Sequence, residues 1–247
     1  MRARSSWFQR NQLLVLAIVA TLTFHAVLLL AGSYRATYDA YVHIFFGDHY
    51  ARSWWNPWEP RWYTGFTMVS YPPLTHQLIA LLSKVFTLPA SFSLVMLVSS
   101  GLTTLGVYRF SRLWVDPRPA SYAALLTVFS SSIAETVHVF GQLPTMFVMG
   151  VMLNALPFVW DWVLEGKLIN LFRAWALLMV AAAGHHVTTL FGMVFFSGPI
   201  LATALLRLFR SPRPHEPELD NQKFSLKFSV LRRFVMRRTA RVWGGFI

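Results

Sequence analysis

The chain has 247 residues, 55% of them hydrophobic and only 13% charged, with a mean hydropathy of +0.46. A soluble domain carries about 25% charged residues, and several long apolar runs in one short chain exclude a soluble enzyme. The lack of cysteine excludes a disulfide framework and a thiolate metal centre. The net charge of +12 lies in patches beside apolar runs, so anionic headgroups and the positive-inside rule account for it without a nucleic-acid partner.

The first element follows a basic stretch containing Arg2, Arg4 and Arg10. From Leu13 to Ala31 there is no charge, enough to cross the hydrocarbon core with about 20 residues. This run exceeds the apolar core of a signal peptide, typically about 7–15 residues, so an uncleaved anchor with a cytoplasmic N-terminus is expected. Further apolar segments read as 74–88, 92–108, 120–137, 143–164, 171–185 and 187–206. The basic turn Arg109–Arg118, the turn with Lys167 and Arg173, and the tail beyond 207 share a side with the N-terminus only if one segment before 108 does not cross. Leu74–Leu88 is that segment. It follows Pro72-Pro73, contains Lys84 and ends at Pro89, and its roughly 22 Å falls short of a core of about 30 Å. The expectation is an all-α integral membrane protein with six transmembrane helices, seven being the alternative. A long outer loop, 32–90, would contain juxtamembrane helices.

Residues 1–207 form the membrane module and 208–247 a basic cytoplasmic tail. In the tail, Ser211-Pro212-Arg213-Pro214 and the acids Glu216, Glu218 and Asp220 read as a linker. Phe224, Phe228, Leu231 and Val235 then recur at helical spacing among Arg232, Arg233, Arg237, Arg238 and Arg241. This pattern predicts an amphipathic helix lying on membrane lipids.

The outer loop concentrates the residues capable of chemistry. Trp54, Trp55, Trp58 and Trp62 suit an interfacial aromatic layer; sugar stacking is the functional alternative. Asp39 and His43 are spaced i, i+4 and share a face if helical, where the carboxylate can act as a base or, with His43, hold a divalent metal. No metal is required. Asp48-His49 repeats the acid–histidine theme with diverging directions. Glu135 and His138, i and i+3, fall near the outer end of an apolar segment, where a carboxylate usually has a partner or a role. His185-His186, beside Gly184, marks a turn between two helices. No HExxH, G-x-S-x-G or P-loop is present.

The order of these features resembles the N-terminal membrane module of the GT-C glycosyltransferases, which use polyprenyl-phosphate-linked sugars. Asp39 in Tyr38-Asp39-Ala40-Tyr41 matches the acidic residue near the start of their first outer loop. Tyr71-Pro72-Pro73-Leu74 is similar to the entry into their next helix. Tyr108–Ala120 looks like a later turn in the aminoarabinose and protein mannosyl transferases. The segment departs from the pattern at Gly141-Gln142-Leu143-Pro144-Thr145, which lacks an expected Asp, and at Ala181–Thr189, where His185-His186 replaces a Lys. The nearest likeness is to bacterial membrane proteins with a "6-pyruvoyl-tetrahydropterin synthase-related" domain, a name that implies no pterin chemistry here.

Over residues 10–207 this resemblance implies a plasma (inner) membrane protein of the cell envelope. It would transfer a sugar from a polyprenyl-phosphate donor at the outer face. Asp39 would be catalytic, and His43, Glu135, His138, Gln142, His185 and His186 would bind substrate, some holding the donor phosphate as imidazolium or through N–H groups. The rival readings are a transporter with a proton or metal path lined by Glu135 and the histidines, and a non-catalytic scaffold or truncated remnant.

Overall fold

A computed structural model describes residues 11–68 and 71–210. Arg2, Arg4 and Arg10, and the expected tail helix, lie outside the described residues. The fold is all-α apart from one two-residue ladder. Its long elements are α1 (Gln12–Leu30), α4 (Leu88–Ser111), α7 (Leu143–Glu165) and α8 (Leu168–Gly184). A fifth rod joins α5 (Pro117–Leu126) through a 3-10 turn to α6 (Ser131–Glu135) and a π-helical turn, Thr136–Phe140. It bends by 47°. A sixth runs from α9 (His186–Gly192) through π-helical Met193–Ser197 into α10 (Gly198–Arg210).

Gln12–Leu30, Leu88–Ser111, Leu143–Glu165 and His186–Arg207 are each long and apolar enough to cross a membrane, and the bent rod is a fifth candidate. The chain is therefore a membrane-associated helical protein. α8 is apolar but has only 17 residues.

Burial ranks the rods. About 67% of the apolar window of α7 is buried, against 28% for α1 and 22% for the last rod, so α7 is the hub. Two glycines set its contact with α4. A Cβ on Gly106 would lie 2.6 Å from Leu153 Cβ, and one on Gly150 would lie 2.9 Å from Leu102 Cβ. Small residues thus let the two backbones approach, the usual way apolar helices associate where lipid removes the hydrophobic drive. Asn154 strengthens the seam, its amide donating to Leu102 O at 2.9 Å and Gly150 O at 2.8 Å. Deep polar residues pair across rods as they must in an apolar medium: the Thr104 hydroxyl bonds Thr21 at 2.9 Å and Thr127 at 3.0 Å.

The rods run alternately between two ends. At one, the chain leaves α1 through left-handed Gly32 and a 3-10 turn, Ser33–Ala36, into α2 (Ala40–Arg52). A small antiparallel ladder follows, β1 (Trp58–Glu59) on β2 (Phe66–Thr67), and then α3 (Leu74–Leu82). Instead of continuing to Leu88, the second apolar segment is a nine-residue helix, roughly 13 Å long. It turns at Ser83, and the α4 helix starts anew at Leu88, with the Thr87 hydroxyl accepting from Ala90 N–H and Pro89 in the first turn, a favoured helix start.

The outer segment carries its own polar anchor. Glu59 is fully buried and bidentate to Arg61, at 2.8 Å for both Nε–Oε1 and Nη2–Oε2, and His49 Nδ1 lies 2.9 Å from Oε2. The Arg61 hydrogen bonds, chiefly, hold its carboxyl down to about 2. Arg61 and Arg52 both reach Asp48. His49 and Asp48 are thus occupied in structure. Around them Phe46, Tyr50, Met68, Trp54, Trp62 and Phe66 form one cluster, whereas Trp55 is 87% exposed.

Candidate functional site

Where these loops converge, a cavity of about 240 Å³ is lined by Asp39, His43, Tyr71, Gln142, Thr145, His185 and Thr188, with Pro144 and Val187. Its floor depends on a junction between distant segments. Tyr38 and Asp39 N–H donate to the carbonyls of Val139 and Phe140, at 3.1 and 2.9 Å. Gly141 then turns at φ +69°, and a Cβ there would lie 2.5 Å from Thr37 Oγ1 and 2.9 Å from Ala40 N. Only a glycine meets both demands without strain.

Asp39 stands at the N-cap of α2, where a carboxylate ordinarily accepts from the first-turn N–H groups. It makes no capping bond, and the first N–H of the helix, that of Ala40, donates to Thr37 Oγ1 at 3.2 Å. The carboxylate is left lining the cavity, and desolvation pushes its pKa above the ordinary aspartate value. One turn on, His43 is 2% exposed. Its Nδ1 lies 3.0 Å from His76 Nε2, and the rings stack at 5.3 Å. Burial, with a smaller contribution from His185, lowers the His43 pKa to about 3. Burial likewise holds His76, wholly inaccessible, well below the ordinary histidine range.

The pair has two tautomeric arrangements. If His43 Nδ1–H donates, its Nε2 offers a lone pair; if His76 Nε2–H donates, His43 Nε2 carries a proton it can give. Either way His76 Nδ1, buried and without a partner, is the unsatisfied end.

Tyr71 closes the other wall. It stacks on His185 at 5.5 Å and 15° and meets His43 edge-on at 5.6 Å. His185, extended at φ −163° between α8 and α9, bonds through Nδ1 to Thr188 Oγ1 at 2.7 Å, and that hydroxyl donates to Thr145 at 3.4 Å. Burial, then the neighbouring His186, lowers its pKa. These shifts favour the neutral ring in His43 and His185, which can offer a phosphate an N–H donor.

Of the residues singled out in the sequence, Asp39, His43, Gln142 and His185 come together in this cavity. The other three lie elsewhere. His138, on the π-helical turn, bonds His25 Nδ1 and Ser33 Oγ, both at 2.8 Å; the longer spacing of a π turn re-aims it toward α1. Glu135 and His186 are exposed. Among the described residues no three His, Cys, Asp or Glu side chains converge as a metal site.

Sequence reasoning placed His76 with the outer-side histidines but assigned neither it nor Tyr71, Thr145 or Thr188 to the site. Tyr71 sits in the Pro-Pro entry, which reads only as a helix start. Thr188 was findable as a hydroxyl three residues beyond His185. No known family, curated protein or solved structure matches the chain.

Proposed function

We propose that the chain is a six-pass inner-membrane protein with a cytoplasmic N-terminus and a GT-C-like fold. It transfers a sugar from a polyprenyl-phosphate donor at the face that carries residues 32–87. The observation that carries the reading is the Asp39 carboxylate: free of any capping bond, raised in pKa by desolvation and lining a small polar cavity. A base works best with a pKa near the working pH, and desolvation moves Asp39 in that direction.

In the reaction, the acceptor oxygen bonds to the anomeric carbon as the bond from that carbon to the phosphate oxygen breaks. The electron pair leaves with polyprenyl phosphate, and Asp39 takes the acceptor proton. His43 Nε2, Gln142 and the threonine hydroxyls are placed to hydrogen-bond the reacting groups. The alternation of six rods, with both described ends at the side opposite the cavity, supports the six-pass arrangement.

Asp39→Asn keeps the volume but cannot take a proton. Consumption of a polyprenyl-phosphate sugar should fall by at least ~10²-fold, while Asp39→Glu keeps part of the activity and Asp48→Asn most of it. Wild-type turnover by Asp39→Asn would remove the base role.

A second reading, a proton path, has one observation in its favour: the Ser33–His138–His25 chain ends at His25 Nε2, buried without a partner inside α1. Proteoliposomes with a trapped pH dye would decide it. Proton flux abolished by His25→Leu supports the path; none in the wild type excludes it.

A further inference from the structure

Between α1 and α4, near the loop-bearing end, lies a cleft of about 490 Å³. Ala26, Leu29 and Leu30 form one wall, and Ala90, Leu94 and Leu97 the other. Its floor is set one turn below Leu97, where a Cβ on Gly101 would lie 3.2 Å from Leu22 Cδ2; glycine lets the two helices close there. From Thr87 at the mouth to Leu97 is ten residues, about 15 Å along a helix, half of a hydrocarbon core of about 30 Å. Both walls belong to helices of membrane-crossing length and hydropathy. The cleft therefore matches the chain depth of one leaflet.

The charges at the mouth narrow the occupant. Between residues 32 and 88 the cations are Arg35, Arg52, Arg61 and Lys84. Arg52 and Arg61 are neutralised by Asp48 and Glu59. Arg35 and Lys84 are exposed, and among the described residues neither is in a salt bridge with a carboxylate. Arg35 flanks the cleft. Arg35 Nε donates to the hydroxyl of Tyr34, which lines the mouth, at 3.4 Å, and its guanidinium lies 5.7 Å from that ring. Lys84 is two residues before Phe86 in the chain, and Phe86 and Thr87 line the cleft.

We propose that this cleft holds one acyl chain of an anionic glycerophospholipid, with the phosphodiester between Arg35 and Lys84. Two uncompensated cations over an apolar slot one leaflet deep favour an anionic headgroup over a zwitterionic one. The site needs only a membrane location and is independent of sugar transfer.

The test uses the full chain in detergent, stripped of lipid and titrated with dioleoyl phosphatidylglycerol or dioleoyl phosphatidylcholine, with binding read by native mass spectrometry. Phosphatidylglycerol should bind at least about tenfold tighter, and Arg35→Gln/Lys84→Gln should erase that preference. Ala90→Trp, which fills the slot, should abolish binding of both lipids; should it fail to fold, Ser93→Leu replaces it with the same expectation. Equal affinity of the wild type for the two lipids, undiminished binding by the slot-filling variant, or dimers in place of lipid adducts would overturn the proposal. A preference of more than about tenfold for polyprenyl phosphate over phosphatidylglycerol would also overturn it and assign the slot to the donor.

Discussion

Buried imidazoles make the outer segment acid-sensitive in a calculable way. His43 titrates near 3 in the fold and near 6.5 when released, because burial disfavours its charged form. A group with a depressed folded pKa lets the unfolded chain bind the extra proton, so stability is fully present above 6.5 and falls as pH drops toward 3. Each proton refused by the fold costs about 1.4 kcal/mol per pH unit. From pH 6.5 to 5, His43 alone should lose about 2 kcal/mol, and His76, also held well below the ordinary range by burial, acts in the same direction. The window avoids Glu59, which contributes only below its ordinary 4.5. Asp39, with its raised pKa, acts weakly in the opposite direction.

Thermal midpoints in detergent at pH 7, 6 and 5 should show the loss, and His43→Leu/His76→Leu should flatten part of it, His185 with its lowered pKa keeping a residual slope. The single variant His76→Leu should be less stable than the double at pH 7, since it strands a buried ring nitrogen at about 1–3 kcal/mol. Equal pH slopes in wild type and double variant would refute the buried-pair account.

Three further outcomes follow from the same framework. Glu59→Gln weakens the grip on Arg61 and His49 and should cost about 2–3 kcal/mol, seen as a lower melting point and faster proteolysis around the ladder. Gly141→Ala, at φ +69° with Thr37 Oγ1 2.5 Å from the new Cβ, should cost about 1–3 kcal/mol, measured as a thermal midpoint, and should reduce any Asp39-dependent activity with it. The chain has no cysteine, so single cysteines at Trp55 and Tyr63, 87% and 90% exposed, should react with an impermeant thiol reagent from outside. Those at Arg112 and Lys167 should react only after permeabilisation; the reverse pattern would invert the proposed orientation.

The rods were legible in the sequence because a membrane simplifies the code. Six of the seven apolar segments are built on one main helix and the remaining one, 120–137, on two joined at a bend; the segment from Leu74, expected to be too short to cross, is shorter still at nine helical residues. Boundaries were less legible. α4 begins four residues before the expected 92, since Pro89 starts a helix as readily as it ends one. The kink and π turn of the 117–140 rod left no mark in hydropathy, because backbone irregularity buried among helices changes no residue's polarity. That turn also decides where His138 points, and helical spacing alone paired it with Glu135.

The site was partly legible for a related reason. Asp39, His43, Gln142 and His185 were visible as polar residues at the ends of apolar runs, where chain order already crowds them to one side. What gathers them is a set of contacts between residues far apart in sequence: Gly141 against Thr37, Thr75 Oγ1 donating to Gly184 O at 3.0 Å, and Tyr71 on His185. None has a local signature. The state of Asp39 was hidden in the same way. From sequence, an aspartate opening a helix reads first as a cap; in the fold its side chain makes no capping bond and lines the cavity. Thr37 takes a different donor, the Ala40 N–H, so the two side chains do not compete. Thr37→Val, which removes that hydroxyl, should therefore cost about 1 kcal/mol for the lost hydrogen bond, read as a thermal midpoint, while Asp39-dependent activity is kept; loss of that activity would show that the threonine does hold the carboxylate in place.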